Sequence, residues 1–443
     1  AGLEPHLSTT TMNLEAWLSV LERRHPRAIE LGLDRCGKVY RRLGKPRPGK
    51  QVITVAGTNG KGSTVAYLDA LAGALGQRHG TYTSPHIFRF NERVCIMGEA
   101  VPDETLVRAF EQVEEARDDV SLTYFEFTTL AALLIMQEAG LDCAILEVGL
   151  GGRLDAVNLV DTDCAVITPI GLDHQDYLGP DLDSIAAEKA GIIRAGQPVV
   201  CTAAAPPAPV TATAEQLQAP IYRRGNGYDL RQTADSDDHL QFTLGEKVLP
   251  VPPPPMPGVY QLDNLAAALC AYSLLNPAGF DQQGLVADAI RNTRLPGRLQ
   301  QVGTAPEVFL DVGHNALAAE AVAAFLDGCE QQGAGTVCVL AMLADKPAGE
   351  IALTLGARCQ RWLCAGLPGE RGQSGEALAR RVEAALPGAD VRPVNTVGDA
   401  MQAALDEQDG FDRVLVFGSF LTVAAAADWL RVHIQQHSVL SHG

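Results

Sequence analysis

The feature that most restricts this chain is a repeating unit: a short apolar run, a break at glycine or proline, then a longer helical pattern. Residues 51–57 (QVITVAG) are rich in β-branched side chains and end at glycine; residues 61–76 then carry a helical pattern that also stops at a glycine. Residues 142–149 (DCAILEVG) and 163–170 (DCAVITPI) are apolar almost throughout, as expected of strands covered on both faces. Helical patterns follow at 182–194 and 262–275. This alternation predicts the α/β class with a parallel sheet. Leu295, Pro296, Gly297 and Arg298 read as a hinge, after which the alternation restarts. Strand-like runs at 307–312, 336–341, 361–365, 390–394 and 413–417 predict a smaller, Rossmann-like open α/β domain. The predicted domains are therefore 1–295, with a parallel sheet, and 296–443. Residues 203–257 combine an Ala/Pro run, a weakly patterned stretch and Pro252 to Pro255, and read as peripheral strands and a polyproline stretch on the first domain's edge.

Charge narrows the partners. The sequence holds 35 Lys and Arg against 53 Asp and Glu, a net charge of −18. Such a surface repels phosphate backbones, which argues against nucleic acid, and a small anionic substrate needs a local cationic or metal site. Ten cysteines form no C-x-x-C pair, and Cys143, Cys164, Cys338 and Cys364 sit inside apolar runs, as reduced, buried thiols of a cytosolic protein do. The first ten residues lack a signal-peptide pattern, and no apolar stretch reaches the ~18 residues of a membrane span. A cytoplasmic monomer with small-molecule partners is expected.

Gly57-Thr58-Asn59-Gly60-Lys61-Gly62-Ser63 follows a predicted strand and opens a predicted helix. Glycines let backbone N–H groups curl around a polyphosphate, the helix N-terminus adds partial positive charge, and Lys61 adds a full one. Ser63 stands within reach of a metal. The spacing departs from G-x-x-x-x-G-K-[ST]: Val55 occupies the first glycine's position and Gly62 separates Lys61 from Ser63.

Ligands of open α/β sheets collect beyond the carboxyl ends of strands. Four polar residues fall there: Ser84, Glu147, His174 and, in the second domain, Asp311. A carboxylate in apolar company, as at Glu147, needs a partner. Hydroxyl and carboxylate suit magnesium, and imidazole suits it less. Lys189 shares its helical face with Ile185, Ile192 and Ile193, so it points inward. Two readings follow. Either a desolvated lysine has a lowered pKa, and its neutral amine takes up carbon dioxide as a carbamate, or it snorkels to a nearby carboxylate.

The motifs GTNGKGS from Gly57, TSPHIFRFNERV from Thr83, LEVGLGGRLDAVN from Leu146, LDHQDYLG from Leu172, EKAGIIR from Glu188, PGR from Pro296, DVGHN from Asp311 and GSFLTV from Gly418 occur in this order. Together they resemble the folylpolyglutamate synthase family, a relative of the Mur cell-wall ligases. The likeness runs from about residue 16 to 430. It implies ATP-dependent joining of L-glutamate to dihydropteroate and to reduced folates. By the same resemblance, Thr58 to Lys61 hold the ATP phosphates; Ser84, Glu147 and His174 bind one or two magnesium ions; Lys189 is carbamylated; and Asn264, Arg298 and Asp311 contact ATP. Ala28, Ile29, Glu30 and Leu31, Thr123, Tyr124, Phe125 and Glu126, and Leu154, Asp155 and Ala156 match the pterin-substrate surfaces. His314 and Ser419 match positions for the incoming glutamate. Gly313 and Ser63 depart from the pattern, standing where relatives often have Ala and Thr.

Two other classes share parts of this pattern. A Mur-type ligase acting on another carboxylate uses the same loop and lysine, but the SPH…NER and GLGGRLDAVN segments favour the folate branch. A phosphate-loop switch or phosphotransferase needs no amino acid, and no N-K-x-D guanine-reading motif is present.

Overall fold

The computed structural model describes residues 12–25, 29–233, 236–329, 335–406 and 410–440. Its larger sheet contains β1 (Gly49–Ala56), β2 (His79–Tyr82), β3 (Val94–Ile96), β4 (Glu99–Ala100), β5 (Leu141–Glu147), β6 (Cys164–Ile167), β7 (Val199–Cys201), β8 (Ile221–Arg224), β9 (Gly227–Thr233), β10 (Ser236–Leu244) and β11 (Lys247–Val251). Their spatial order is β11-β10-β9-β8-β7-β6-β1-β5-β2-β3-β4. From β2 through β9 neighbouring strands run parallel.

β1 occupies the centre because its last five residues are all buried, as β-branched and small side chains covered on both faces should be. On one face lies the helix Tyr124–Glu138, apolar nearly all round, which packs Phe127 against Trp17 and Phe110. On the other, Val65 and Leu68 of the helix Lys61–Ala74 share a core with Leu265 and Leu269 of the helix Tyr260–Leu275. Truncating a buried aromatic such as Phe110 to Ala should cost about 3–5 kcal/mol.

Parallel register aligns the strand ends. Val55 pairs with Glu147 and Ala56 with Ile167, so the segments after β1, β5 and β6 leave the same edge of the sheet, and Thr83 and Ser84 after β2 leave it too.

The 203–257 segment is more integral than its composition suggests. It supplies the helix Ala208–Gln216 and strands that continue the main sheet, and Tyr228, Leu230 and Phe242 are buried in the same core as Val55. Proline near the start of that helix removes only an N–H that would be unpaired anyway, so a Pro-rich stretch opens a helix here. The helix expected over 182–194 ends earlier, at Ala190, with Gly191 capping it.

The second lobe holds β12 (Gln300–Thr304), β13 (Glu307–Asp311), β14 (Thr336–Leu340), β15 (Arg361–Ala365), β16 (Asp390–Val394) and β17 (Arg413–Phe417), in the order β12-β13-β17-β14-β15-β16. All pairs but β12–β13 are parallel. β12, with only partly buried residues, lacks the apolar run that marked the other five. The segment after β13 closes over the carboxyl edge of the first sheet, where the side-chain amides of Asn59 and Asn315 pair at 2.9 and 3.0 Å.

Candidate active site between the lobes

The loop after β1 is shaped by close approach. A Cβ on Gly57 would lie 1.8 Å from Thr168 Oγ1. Gly60 has φ +87°, a left-handed conformation that L side chains rarely adopt, and packs on the Asn264 amide. Thr58 ties the loop to the segment after β6: its N–H donates to Pro169 O at 2.8 Å, and its hydroxyl donates to Gly171 O and accepts from Gly171 N–H, each at 3.0 Å. Lys61 curls over the loop, its Nζ 3.2 Å from both Gly57 O and Thr58 O. Burial pushes its pKa down, while the Glu147 charge opposes that shift. Behind the loop, Gln261 bridges Ser63 (3.3 Å) and Asn264 (3.2 Å).

A cavity of about 130 Å³ opens in front of this loop. Thr58, Asn59, Gly60 and Lys61 line it, as do Ser84, Glu147, His174, Lys189, Arg298 and His314. These residues are separated by up to 256 positions in sequence, and the two lobes bring them together. Glu147 is 5% exposed and accepts one hydrogen bond, from Ser84 N–H at 3.2 Å. Burial raises its pKa, and the Lys61 charge counters that. His174, in a left-handed conformation just beyond β6, has its pKa lowered by burial.

Lys189 is 3% exposed. Its Nζ donates to Gly57 O at 2.9 Å and forms no ion pair among the described residues, so it does not snorkel to a carboxylate. Burial first, and then the Lys61 charge, push its pKa down to about 7. The helix that carries it stops at Ala190, so Ile192 and Ile193 bury beside it from the following turn rather than from the same helical face.

Of the other expected site residues, Asp311 and Ser419 do not line the cavity, whereas Arg298 does. Asp311 accepts from Leu299 N–H (2.9 Å) and Gly313 N–H (2.7 Å), fixing the hinge on one side and the turn before His314 on the other. Gly313 is crowded: a Cβ there would meet Ala318, Phe417 and Asp311 within 2.8 Å. The Arg298 guanidinium lies 5.8 Å from the Phe420 ring centre. Ser419 does not line the cavity; its hydroxyl accepts from Thr422 N–H at 3.0 Å and caps the last helix, whereas its neighbour Phe420 does line it.

The residues expected at the pterin surface are each held by contacts of their own. Thr123 and Glu126 bond reciprocally in a capping box. Arg35 joins Glu126 (3.0 Å) to Glu30, with Ile29 and Leu31 flanking Glu30. Ala28 lies outside the described residues. The Phe125 ring covers Gly149, where a Cβ would come within 2.4 Å of it. Tyr124 packs edge-on against Phe90. Asp155, between Leu154 and Ala156, accepts from Leu150 and Val157 N–H at 2.8 and 2.9 Å, and burial pushes its pKa up to about 6. Gly149 and Leu150 line the cavity, so Phe125 and Asp155, which touch them, border it.

Among the described residues no group of three or more His, Cys, Asp and Glu side chains forms a metal cage. One buried carboxylate beside a hydroxyl and a phosphate loop nevertheless fits magnesium, which is commonly held by one or two carboxylates plus substrate phosphates.

Sequence reasoning passed over Asp173, Asn315 and Lys346. The Asp173 carboxylate accepts from Lys346 Nζ at 2.8 Å and from Asn315 Nδ2 at 3.1 Å. The signal available was a lone charged residue just past a strand, in LDH and in the ADK that follows β14.

A phosphate loop at the edge of one parallel sheet, a buried glutamate at the next strand end and a second parallel-sheet lobe closing over both define a Mur-type ATP-dependent ligase. The Mur ligase middle-domain family matches residues 55–272, and the Mur ligase glutamate ligase domain matches 297–420. The chain is 40% identical to the dihydrofolate synthase/folylpolyglutamate synthase of Escherichia coli (strain K12) over 93% of its length and 94% of that protein's. It is 39% identical to the Haemophilus influenzae protein of the same name, over 94% of this chain and 97% of that one. A solved structure of E. coli FolC in complex with DHPP and ADP superposes with a TM-score of 0.88 at 39% identity, covering 95% of this chain and 98% of that one. A bifunctional folylpolyglutamate synthase/dihydrofolate synthase with Mn, AMPPNP and L-glutamate bound gives 0.82 at 38% identity, covering 95% and 98%. The chain belongs to the dihydrofolate synthase/folylpolyglutamate synthase family.

Proposed function

We propose that this chain joins L-glutamate to dihydropteroate, giving dihydrofolate, and to the γ-carboxylate of reduced folates, with ATP as energy source. The observation that carries this reading is the single cavity where Lys61, Glu147, His174 and Lys189 of the first lobe meet Arg298 and His314 of the second.

A carboxylate is a poor acyl donor because oxide is a poor leaving group. A carboxylate oxygen therefore attacks the γ-phosphorus, the bond to the bridging oxygen breaks, and ADP leaves. The glutamate α-amine then attacks the carbonyl carbon, loses a proton, and expels inorganic phosphate. Backbone N–H groups of 60–63 and Lys61 cradle the phosphates and offset charge during transfer, while Thr58 and Asn59 tie the loop to Pro169. Arg298 contacts the nucleotide from the second lobe, Asn264 contacts it from behind Gly60, and Asp311 supports the Arg298 contact by fixing the hinge. Ser84, Glu147 and His174 would hold one or two magnesium ions, which when bound neutralise phosphate charge. Lys189, as a neutral amine, forms an N–C bond with carbon dioxide and releases a proton, so a cation becomes an anion at the loop. The surface formed by Glu30, Glu126, Phe125 and Asp155 receives the pterin, and His314 and Ser419 serve the incoming glutamate. Residues 1–295 and 296–443 act as two domains whose closure completes the site.

We further assign the protein to the cytoplasm as a monomer without nucleic-acid partners. No helix among the described residues is long and apolar enough to cross a membrane.

The test is phosphate release with ATP, dihydropteroate and L-glutamate, omitting each in turn. Release that needs all three is expected. Equal release without glutamate or pteridine acid contradicts the ligase reading.

A further inference from the structure

We infer that Asp173 is a positioning residue, a carboxylate by which the second lobe locks onto the first and sets His314 at the cavity. The inference rests on the ligase reading for its consequence but not for its geometry. Asp173 lies in the short connection between β6 and the helix Gln175–Leu178. It faces three groups of the other lobe: Lys346 Nζ at 2.8 Å, Asn315 Nδ2 at 3.1 Å and His314 Nε2 at 3.7 Å. Within its own lobe it accepts from His174 N–H at 2.9 Å, and His174 Nε2 stands at 3.9 Å.

The arms from the second lobe are built in advance. Lys346 is 6% exposed, and Asp173 is its one ion-pair partner among the described residues. Arg381 holds the Lys346 carbonyl, and Arg371 pairs with the adjacent Asp345 at 2.7 Å. Asn315 is 2% exposed and grips both Asp173 and Asn59 of the phosphate loop. A buried ammonium tolerates loss of its partner badly, so the lobes meet in the one register that returns Asp173 to Lys346. Such pairs fix register more than they add stability. Neither lobe needs the pair for its own core, because the partners come from different sheets. The contact therefore acts on the cleft, where Asp173 and His314 both line the cavity.

The experiment compares D173N, K346M, the double variant and D173E in steady-state ligation. It adds thermal melting, and hydrogen exchange of amides 312–318 and 343–347 with and without AMPPNP. D173N and K346M are each expected to lower kcat on the order of 100-fold, with the KM for ATP changed less than about threefold, since slight misplacement of reacting groups carries losses of that size. D173E is expected to recover part of kcat. The double variant should melt higher than D173N, because no buried ammonium is left unpaired, while its kcat stays as low as either single. AMPPNP should protect both segments in the native protein and not in D173N. Unchanged kcat in D173N, multiplicative losses in the double, or native-like protection in D173N would overturn the inference. Exchange needs no turnover, so it scores the lock even if the protein proved not to ligate glutamate.

Discussion

The Lys189 ammonium donates to the carbonyl of Gly57 at 2.9 Å, so a buried lysine from a helix far along the chain props the first residue of the phosphate loop. Its pKa is pushed down to about 7 by burial and by the Lys61 charge. A lysine carrying this shift is costly to the fold and chemically reactive at neutral pH.

Lys189→Met tests that cost against its use. A lysine with a folded pKa below its unfolded value binds fewer protons when folded, so it weakens the fold most below about 7 and less as pH rises toward 10.5. At pH 7 the variant should melt higher than the native protein in metal-free buffer, and should lose activity on the order of 100-fold when assayed with magnesium and ATP. Calorimetry and steady-state assays check both signs. Lys189→Ala should lose most activity too, with partial rescue by an added short carboxylate.

Carbamate on Lys189 should be visible directly. With ¹³C-bicarbonate, a carbamate carbon resonance is expected to grow between pH 6 and pH 8, as the neutral amine becomes the main form around pH 7, and to vanish in Lys189→Met.

Gly57→Ala should disturb the phosphate loop, because the new methyl would sit 1.8 Å from Thr168 Oγ1 and 2.9 Å from its Cβ. Weaker ATP binding by calorimetry is expected, with partial recovery when Thr168 is also changed to Gly. Native affinity in Gly57→Ala alone would show that the loop does not depend on this approach.

His86 and His314 should make the protein acid-sensitive. Burial and neighbouring cations, Arg93 for His86 and Lys346 for His314, push both pKa values down to about 4. The unfolded chain then takes up protons near pH 6.5 while the folded chain does not, so stability should fall as pH drops from 6.5 toward 4. His86 Nδ1 accepts from Arg93 Nε at 2.9 Å, a bond that protonation there removes. His86→Gln should flatten the pH dependence of melting in that window.

The parallel core was legible because strands buried on both faces leave continuous apolar runs, as in QVITVA and CAILE. Helix ends and the 203–257 segment were less so: weak alternation hides strands that are buried on one face only, such as β9 and β10, and Pro-rich composition disguises a helix start. Lys61, Glu147 and His174 could be placed at the cavity because each ends or follows a strand and strand ends converge by topology, and Lys189 because it lies one helical turn from the buried Ile185. Ser419 and Asp311 lay in matching motifs, yet their polar atoms are engaged by backbone N–H groups, which no motif reveals. The Asp173–Lys346 pairing was not legible: each residue stands out as a charge past a strand, but pairing between lobes leaves no periodicity in either segment.

The most direct measurement follows oxygen. Dihydropteroate carrying ¹⁸O in both carboxylate oxygens is turned over with ATP and L-glutamate, and the inorganic phosphate is analysed by mass spectrometry. One ¹⁸O in each released phosphate is the result expected if the carboxylate attacks the γ-phosphorus and the amine then displaces phosphate. Phosphate free of label, with amide product still forming, contradicts that route.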